Sequence, residues 1–432
     1  MGWMETLSAR EGFHADHGVH DLHLDASGYA RGTAVVRGHA VAGAEAVTFA
    51  LAPGVAVTRV ELDGAPAATT AHGEGVWSAP ATLSTDQAHR VAIAYEGRLD
   101  EAFMRDEGGH AWYELQILTR WRPVFAIRGL FDHRSTSRVT LTLPPTFAAA
   151  SSFGLVEDAR TAASARYVWD TGETQCLDFS VAVAEALQAE GDAGSVRLRA
   201  LSEYGAPCSP AALLEVGCDT VRRYADSWGP CPYPHLTVAC LPHSAAGNCG
   251  REGLVLAGDL KADPRTDVYA TAVAAHELSH MWWGLGVRFN EQRSLGYLEA
   301  LASYSAERMI RDRFGEEASR ERRAGVLLPN ARKAEAAAGV SLLACRQDTP
   351  ESWRLREAKG GCVMLLLERL IGREQIDAAL ARLLAEFRGK QAEPADVRRA
   401  FVGVGGNQVD RFFDDYFDGT VSLPPEPQRY GE

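Results

Sequence analysis

The sequence contains no apolar run that approaches the length of a membrane span, and its start lacks the basic end and apolar core of a secretory signal. It also has no basic cluster. Its formal net charge of −13 disfavours nucleic acid and anionic membrane surfaces as partners. With 46% hydrophobic and 23% charged residues, the composition is that of an ordinary soluble globular protein.

Cysteine pairs at CxxC spacing are also missing. The eight cysteines are scattered over a large chain, at positions 176, 208, 218, 231, 240, 249, 345 and 362. This distribution fits reduced thiols in the cytoplasm better than a disulfide framework. We therefore expect a cytoplasmic protein.

The length and a change of apolar periodicity predict two domains. A chain of 432 residues is too long for one compact core. Period-two apolar segments dominate up to a small, polar stretch at residues 187–196, and helical periods dominate after it. We predict an α+β protein, with an antiparallel all-β domain at residues 1–188 and a mainly helical domain at residues 189–432.

The β region has two irregular features. Val57 is followed out of phase by Val60 and Leu62, whereas the other segments alternate regularly. Four histidines also occur within ten residues, namely His14, His17, His20 and His23. No cysteine accompanies them and their spacing matches no zinc motif, so we interpret them as a polar entry to the first strand rather than as a second metal site.

The strongest chemical signal is the segment AVAAHELSHMWWG at residues 272–284. On a helix, His276 and His280 lie on one face about one turn apart, so both imidazoles can bind the same metal ion. Glu277 projects toward the edge of that face, where its carboxylate can take a proton from water instead of binding the metal. The alternative is a helix that carries these three residues by chance.

A catalytic zinc usually has three protein ligands and leaves a fourth position open, so a third ligand should follow on another element. Glu299 fits this role. It lies among apolar residues at helical spacing in residues 294–314, nineteen positions after His280. An acidic residue on the inner face of a helix is costly unless it is paired or binds metal. The alternative for Glu299 alone is a solvated helix residue.

The motif HELSHMWWG, followed by Glu299 after eighteen residues, resembles the gluzincin aminopeptidase family, which includes aminopeptidase N and leukotriene hydrolase. The segment WRPVF at residues 121–125 resembles the family's Trp-x-Pro segment. The resemblance implies one zinc ion with His276, His280 and Glu299 as ligands, and Glu277 as general base. It also implies a β domain followed by a thermolysin-like catalytic domain.

Larger family members carry a further C-terminal helical domain that encloses the active site. The end of this chain resembles the end of the family's catalytic domain, so the resemblance implies a short form of the family. We expect a more open cleft, unless a second subunit covers it.

The family's Gly-x-Met-Glu-Asn segment, whose Glu binds the substrate amine, is altered in this chain. One register places Glu252 at that position, whereas matching GLV to the family's PGLV places Gly250 there and Cys249 at the Met. Arg251 can neutralise Glu252 or bind a substrate carboxylate. A simple surface ion pair is the alternative for both residues.

The family's Tyr-Glu-Lys-Gly segment is also altered. Its tyrosine donates a hydrogen bond to the oxyanion, and Glu357 occupies that position in the segment EAKG. A carboxylate stabilises an oxyanion only when protonated, and loss of one donor costs a factor of about 10²–10³ in rate. Alternatively, Glu357 is an acid at a helix start. The segment WLNEGFA is changed to GYLEALA, with Leu298 and Ala300 replacing Asn and Gly.

Three functions are compatible with this pattern. The first is a zinc metallopeptidase, most simply an aminopeptidase, with an atypical substrate site and a small peptide or amide as substrate. The second is a zinc hydrolase acting on another amide or ester in specialised metabolism. The third is a zinc-bearing binding module without activity, which the presence of Glu277 disfavours because a structural zinc needs no general base. The oligomeric state is left open.

Overall fold

The computed structural model describes residues 2–10, 12–107, 109–125, 134–151, 153–176, 178–241, 247–258, 260–289, 295–345 and 349–424. The predicted fold class is confirmed, because an N-terminal part built of β-sheets is followed by a mainly helical part. The helices of the described residues are α1 Gly2–Ser8, α2 Pro210–Trp228, α3 Val268–Ser279, α4 Leu295–Phe314, α5 Glu316–Arg322, α6 Leu328–Ala338, α7 Pro350–Arg354, α8 Gly360–Ile371, α9 Arg373–Phe387, α10 Pro394–Gly405 and α11 Asn407–Phe413. Among them, none combines the length and the apolarity that a membrane crossing requires.

The strands of the N-terminal part form an eight-stranded sheet and two four-stranded sheets. They are β1 Phe13–Leu24, β2 Tyr29–Ala40, β3 Ala46–Ala50, β4 Val55–Leu62, β5 Ala65–Pro66, β6 Thr70–Ala71, β7 Val76–Pro80, β8 Ala88–Arg98, β9 Phe103–Arg105, β10 Ala111–Leu115, β11 Val124–Phe125, β12 Thr136–Leu143, β13 Ala148–Ser151, β14 Gly154–Arg160, β15 Ala165–Asp170 and β16 Val181–Ala184. The large sheet has the order β14-β15-β12-β1-β2-β8-β4-β5, and its strands supply about half of the residues in the main buried core of this part.

The phase change in the fourth strand has a structural cause. The pairing of β4 with β8 shifts register between Val57 and Arg59, where an extra residue forms a β-bulge. Because one extra residue reverses the side chains that follow, Val60 is buried although it lies out of phase with Val57.

The four clustered histidines lie inside β1 and not at its entry, so this interpretation was wrong. Successive side chains of a strand point to opposite faces, and β1 has a further register shift between Ala15 and His17. His20 is buried, whereas His23 is exposed. Because the strand spreads the four side chains over both faces, they do not converge on one point.

The second part begins with a five-stranded sheet of order β17-β18-β19-β21-β20. Its strands are β17 Ala186–Ala193, β18 Val196–Glu203, β19 His235–Cys240, β20 Asn248–Arg251 and β21 Leu254–Ala257. The small, polar stretch at residues 187–196, where the apolar periods change, is a hairpin of β17 and β18. The division into residues 1–188 and 189–432 stays a prediction. A pair of short strands, β22 Arg288–Phe289 and β23 Gln391–Ala392, completes this part.

The helices around α3 and α4 are packed closely through small and aromatic residues. Trp282, which follows α3, packs edge-on against Tyr224, and Trp283 packs against Trp228. A Cβ atom at Gly360 would lie only 2.7 Å from the Cβ of Ala300. The small residues at this crossing bring α8, and the π-helical turn Leu355–Lys359 before it, close to α4.

Candidate active site

The helix that carries the HExxH motif is defined at both ends. Asp267 caps its N-terminus by accepting a hydrogen bond of 2.7 Å from the Ala270 backbone N–H. The helix ends at Ser279, with His280 in the capping position. Gly284 adopts a φ of 107°, a left-handed conformation that favours glycine.

The structure brings His276, His280 and Glu299 together. Their ligand atoms all lie within 4.8 Å of one another. His276 Nε2 is 3.2 Å and His280 Nε2 is 3.9 Å from Glu299 Oε2. His280 Nδ1 donates a hydrogen bond of 3.1 Å to the Trp283 carbonyl oxygen, which leaves Nε2 available to a metal. Two imidazole nitrogens and one carboxylate, held in this way, fit zinc.

The pKa values of these side chains show that the buried carboxylates favour a positive charge within the cluster. Although burial opposes its charged form, the hydrogen bond to Glu299 and the charge of Glu277 raise the pKa of His276 to about 9. Burial lowers the pKa of His280 to about 4. Burial also opposes the charge of Glu299, but its hydrogen bond with His276 keeps the pKa of Glu299 below its usual range. A divalent cation at the three ligand atoms would replace the proton on His276.

Glu277 lies beside the three candidate ligands but is not one of the clustered ligand residues. Its Oε2 is 3.9 Å from His280 Nε2, and the residue is 7% exposed. Burial raises the pKa of Glu277 to about 7. A carboxyl group with a pKa near neutrality can both accept and return a proton, as general base catalysis requires.

The edge strand β20 passes directly in front of the HExxH helix at Gly250. A Cβ atom at this position would lie 3.0 Å from the Glu277 carbonyl oxygen and 3.0 Å from the His280 Cβ. Of the two registers proposed for the altered amine-binding segment, the structure thus brings Gly250 to the helix. The side chain at that point is a hydrogen atom, so it contributes no carboxylate to the site.

Arg251 is held between β20 and the N-terminal part. Its Nε and Nη2 donate to Gln116 Oε1 at 3.1 and 2.9 Å, and its Nη1 donates to the Gly250 carbonyl oxygen at 3.2 Å. Asp178 Oδ2 lies 3.6 Å from Nε. The charge of Arg251 acts on Glu277 and lowers its pKa, in opposition to burial. The guanidinium therefore lies within electrostatic range of the site, but it is already hydrogen-bonded.

Glu252 is engaged elsewhere. It lies in the turn after β20, is 3% exposed, and forms an ion pair of 2.5 Å with Arg134. Its Oε2 also accepts a hydrogen bond of 3.3 Å from the Asp178 backbone N–H. To bind a substrate amine, Glu252 would have to leave Arg134.

Glu357 lies in the π-helical turn before α8, within electrostatic range of the site. Its side chain is exposed, and its charge raises the pKa of His276 and of Glu277. The neighbouring Arg356 is 2% exposed, and its guanidinium stacks 4.6 Å above the Trp353 ring. The charge of Arg356 lowers the pKa of Glu299.

Sequence reasoning missed three groups that support the site. The first is Gln116, which accepts hydrogen bonds from Arg251. The second is Arg356, whose charge acts on Glu299, and the third is the Trp283 carbonyl, which orients His280. A polar residue at the end of an apolar strand was the available signal for Gln116. The other two depend on tertiary contacts, and no pattern in the sequence marks them.

Comparison with known proteins agrees with this geometry. Residues 230–416 match the model of the peptidase family M1 domain. A family M1 zinc metallopeptidase from Deinococcus radiodurans, solved as a mutant bound to a Tyr-Ser-Ala substrate, is similar in structure, with a TM-score of 0.74, 16% identity, and coverage of 96% of each chain. Native yeast LTA4 hydrolase is similar with a TM-score of 0.71 and 15% identity, over 96% of this chain and 69% of that protein. No curated protein sequence matches the chain.

The matched domain contains the HExxH helix, Glu299 and the π-helical turn with Glu357. The N-terminal sheets lie outside the matched domain. For these sheets, the similarity to the two solved structures is one of fold only. Residues 230–416 therefore form a peptidase family M1 domain, and this domain together with the shared fold supports a zinc hydrolase with a single catalytic zinc ion.

Proposed function

We propose that the chain is a zinc metallopeptidase of the aminopeptidase type with an atypical substrate site. His276, His280 and Glu299 would hold the zinc, and Glu277 would act as general base. The observation that carries the proposal is the convergence of the three ligand atoms within 4.8 Å, with the Glu277 carboxyl group beside them, 3.9 Å from His280 Nε2. A structural zinc needs no such neighbour.

Zinc, when bound, supplies a Lewis acid that polarises the scissile carbonyl and makes water more acidic. Glu277 accepts a proton from the attacking water and returns it to the leaving amine. The hydrogen bond from His280 Nδ1 to Trp283 keeps the His280 ring in one orientation throughout. The positive charge of Arg356 adds to the hydrogen bond with His276 in lowering the pKa of Glu299.

The substrate would lie along the free edge of β20, where an extended peptide can add backbone hydrogen bonds to the sheet. Gly250 lets the chain come close to His280, but it offers no negative charge to an α-amino group. Glu357 would face the substrate from the other side. Since an ionised carboxylate repels an oxyanion, we propose weak activity on simple unblocked aminoacyl substrates.

The preferred substrate would therefore supply what this site lacks. A cationic or hydrogen-bond-donating group would pair with the exposed Glu357. A carbonyl or carboxylate could reach Arg251, although this side chain already binds Gln116. Amine binding by Glu252 stays part of the proposal only if substrate displaces Arg134.

A second candidate is a zinc hydrolase of another amide or of an ester. The combination of Gly250 at the helix and Glu357 beside the site favours it, because the amine-binding position and the oxyanion-donor position both differ from the family pattern. This candidate uses the same zinc ligands and the same general base.

A substrate panel decides between the two candidates. Purified protein is assayed on aminoacyl anilides, blocked peptides and esters, each also with a Glu277→Gln variant. Turnover of peptides that is lost in the variant supports the peptidase, and turnover confined to esters or non-peptide amides supports the second candidate. Turnover that persists in the variant contradicts both.

We also propose that the protein resides in the cytoplasm. All eight cysteines lie in the described residues as buried free thiols. Proteins of the cytoplasm keep their thiols reduced. Eight reactive thiols in the denatured, unreduced protein are expected, and a count of four or fewer would indicate an exported protein.

A further inference from the structure

A second cluster of metal-binding side chains lies where the N-terminal sheets meet the five-stranded sheet. It consists of Asp106, His110 and Glu203, whose ligand atoms all lie within 4.8 Å of one another. His110 Nδ1 is 3.1 Å from Asp106 Oδ2 and 3.3 Å from Glu203 Oε1. Two carboxylates thus face the same ring nitrogen.

The backbone holds these side chains in place. Asp106 and His110 close the loop between β9 and β10, because the Asp106 N–H donates to the His110 carbonyl at 3.0 Å and the His110 N–H donates to Asp106 Oδ1 at 2.8 Å. Glu203 ends β18, and its Oε2 accepts a hydrogen bond of 2.8 Å from the Gly205 N–H. Each carboxylate uses one oxygen to fix its position and turns the other toward His110.

Glu203 Oε1 is the unexpected atom of this cluster. The Glu203 side chain is 0% exposed, yet Oε1 accepts no hydrogen bond from any residue that the structure describes. His110 Nδ1 carries at most one proton, and its hydrogen bond goes to Asp106. A buried carboxylate oxygen without a donor is costly, so a missing partner is expected at this point.

The local charge has the sign that attracts a cation. Within the described part of the chain, His110 is the only basic side chain in an ion pair with Asp106 or Glu203. Glu185 adds further negative charge close to His110. The carboxylates of Asp106, Glu203 and Glu185 therefore surround one imidazole, and no lysine or arginine of the described residues forms an ion pair with Asp106 or Glu203.

We propose that Asp106, His110 and Glu203 form a second, non-catalytic site for a divalent transition ion of the zinc class. Zinc binds nitrogen and oxygen ligands at about 2.1 Å, so two ligands of a tetrahedral ion lie about 3.4 Å apart. The observed separations of 3.1 and 3.3 Å agree with this value. An imidazole ligand favours zinc over calcium and magnesium, which prefer oxygen.

An ion bound at this site links the N-terminal sheets to the five-stranded sheet of the second part. Asp106 and His110 belong to the β9–β10 hairpin of the N-terminal sheets, and Glu203 belongs to the five-stranded sheet whose edge strand passes the catalytic helix. Because folded protein binds the ion and unfolded chain does not, the ion stabilises the docked arrangement. Catalysis continues to depend on the one zinc at the HExxH helix.

Metal content and thermal unfolding test the proposal together. The protein is dialysed against low micromolar zinc in a His280→Ala background, which disables the catalytic cluster. One zinc per chain and a Tm raised by a few degrees with zinc are expected, and both should disappear in His280→Ala combined with Asp106→Asn or with His110→Ala. In the otherwise unaltered chain, Asp106→Asn should lower the content from two zinc ions to one while kcat is retained.

His39→Ala is the matched control, because His39 Nδ1 also lies 2.7 Å from a carboxylate, Asp16 Oδ2, but the described residues offer no third ligand there. This variant should keep both ions. Asp106 lies on a partly exposed loop, so Asp106→Asn tests the site even if His110→Ala fails to fold. A content of one zinc in the unaltered chain, together with no zinc-dependent Tm in the His280→Ala background, would show that the cluster is only an ion-paired hydrogen-bond network.

Discussion

The two sides of the candidate cleft are built differently. The metal side consists of His276, Glu277 and His280 on one helix and Glu299 on the helix packed against it. The substrate side consists of β20 with Gly250 and Arg251, and of the π-helical turn with Glu357. The metal side keeps the family's HExxH motif and the third ligand Glu299, although the flanking Leu298 and Ala300 differ from the family pattern. The substrate side departs from that pattern at the amine-binding position and at the oxyanion-donor position.

This difference teaches how the two sides are constrained. Three of the four metal-side residues depend on the spacing along one helix, so changing any of them removes the ion or the base. The substrate side depends on where separate elements end, and a single residue can change there without disturbing the fold. Specificity can therefore change while the hydrolytic chemistry is kept.

Loss of a metal ligand on the metal side should have the largest effect on activity. His280→Ala is expected to lose the catalytic zinc and all measurable hydrolysis, because only two ligands remain. Elemental analysis and turnover of the best substrate measure both effects. His235→Ala, which alters an exposed histidine, serves as control and should retain both. Full zinc occupancy of the catalytic site in His280→Ala would mean that the ligands are assigned wrongly.

Loss of the general base should act on the rate alone. Glu277→Gln is expected to keep zinc and to lower kcat by a factor of about 10²–10⁴, because an amide cannot accept the proton of water. The exposed Glu317→Gln is the matched control and should behave as the unaltered chain. Near-normal turnover of Glu277→Gln would remove this carboxylate from the mechanism.

A substitution on the substrate side is expected to raise activity. Glu357→Tyr is expected to raise kcat/KM on aminoacyl anilides about tenfold, less than the factor of 10²–10³ that a native oxyanion donor contributes. Glu351→Tyr, at an exposed position of the preceding helix, controls for the added ring. If Glu357→Tyr brings no gain, another group already supplies the oxyanion contact.

The smallest effect on catalysis is expected at Glu252. Because its carboxylate pairs with Arg134, Glu252→Gln should change kcat/KM by no more than about twofold. It should lower the free energy of unfolding by about 1 kcal/mol, since the partly exposed Arg134 keeps a hydrogen bond but loses a charged partner. A tenfold loss of kcat/KM on unblocked substrates, with stability unchanged, would instead make Glu252 the amine contact.

Much of the architecture could be predicted from local patterns. Alternating apolar residues located the strands around Val91 and Val139, and the out-of-phase Val57 marked a real bulge. Local patterns did not predict the conformation of segments whose structure depends on pairing with a neighbouring strand. The polar stretch at residues 187–196 forms a hairpin because it pairs within a sheet, and its composition does not indicate this.

The sequence by itself determined the fold class and the set of candidate metal ligands, because helical spacing places His276 and His280 on one face and the family motif marks Glu299 as the third ligand. The packing of two separate helices then brings Glu299 to the two histidines. Tertiary structure alone decided that Gly250 meets the catalytic helix while Glu252 turns to Arg134, since an edge strand's register depends on its neighbours. It alone also brought Asp106 and His110 to Glu203, about a hundred residues later in the chain, because two sheets dock there.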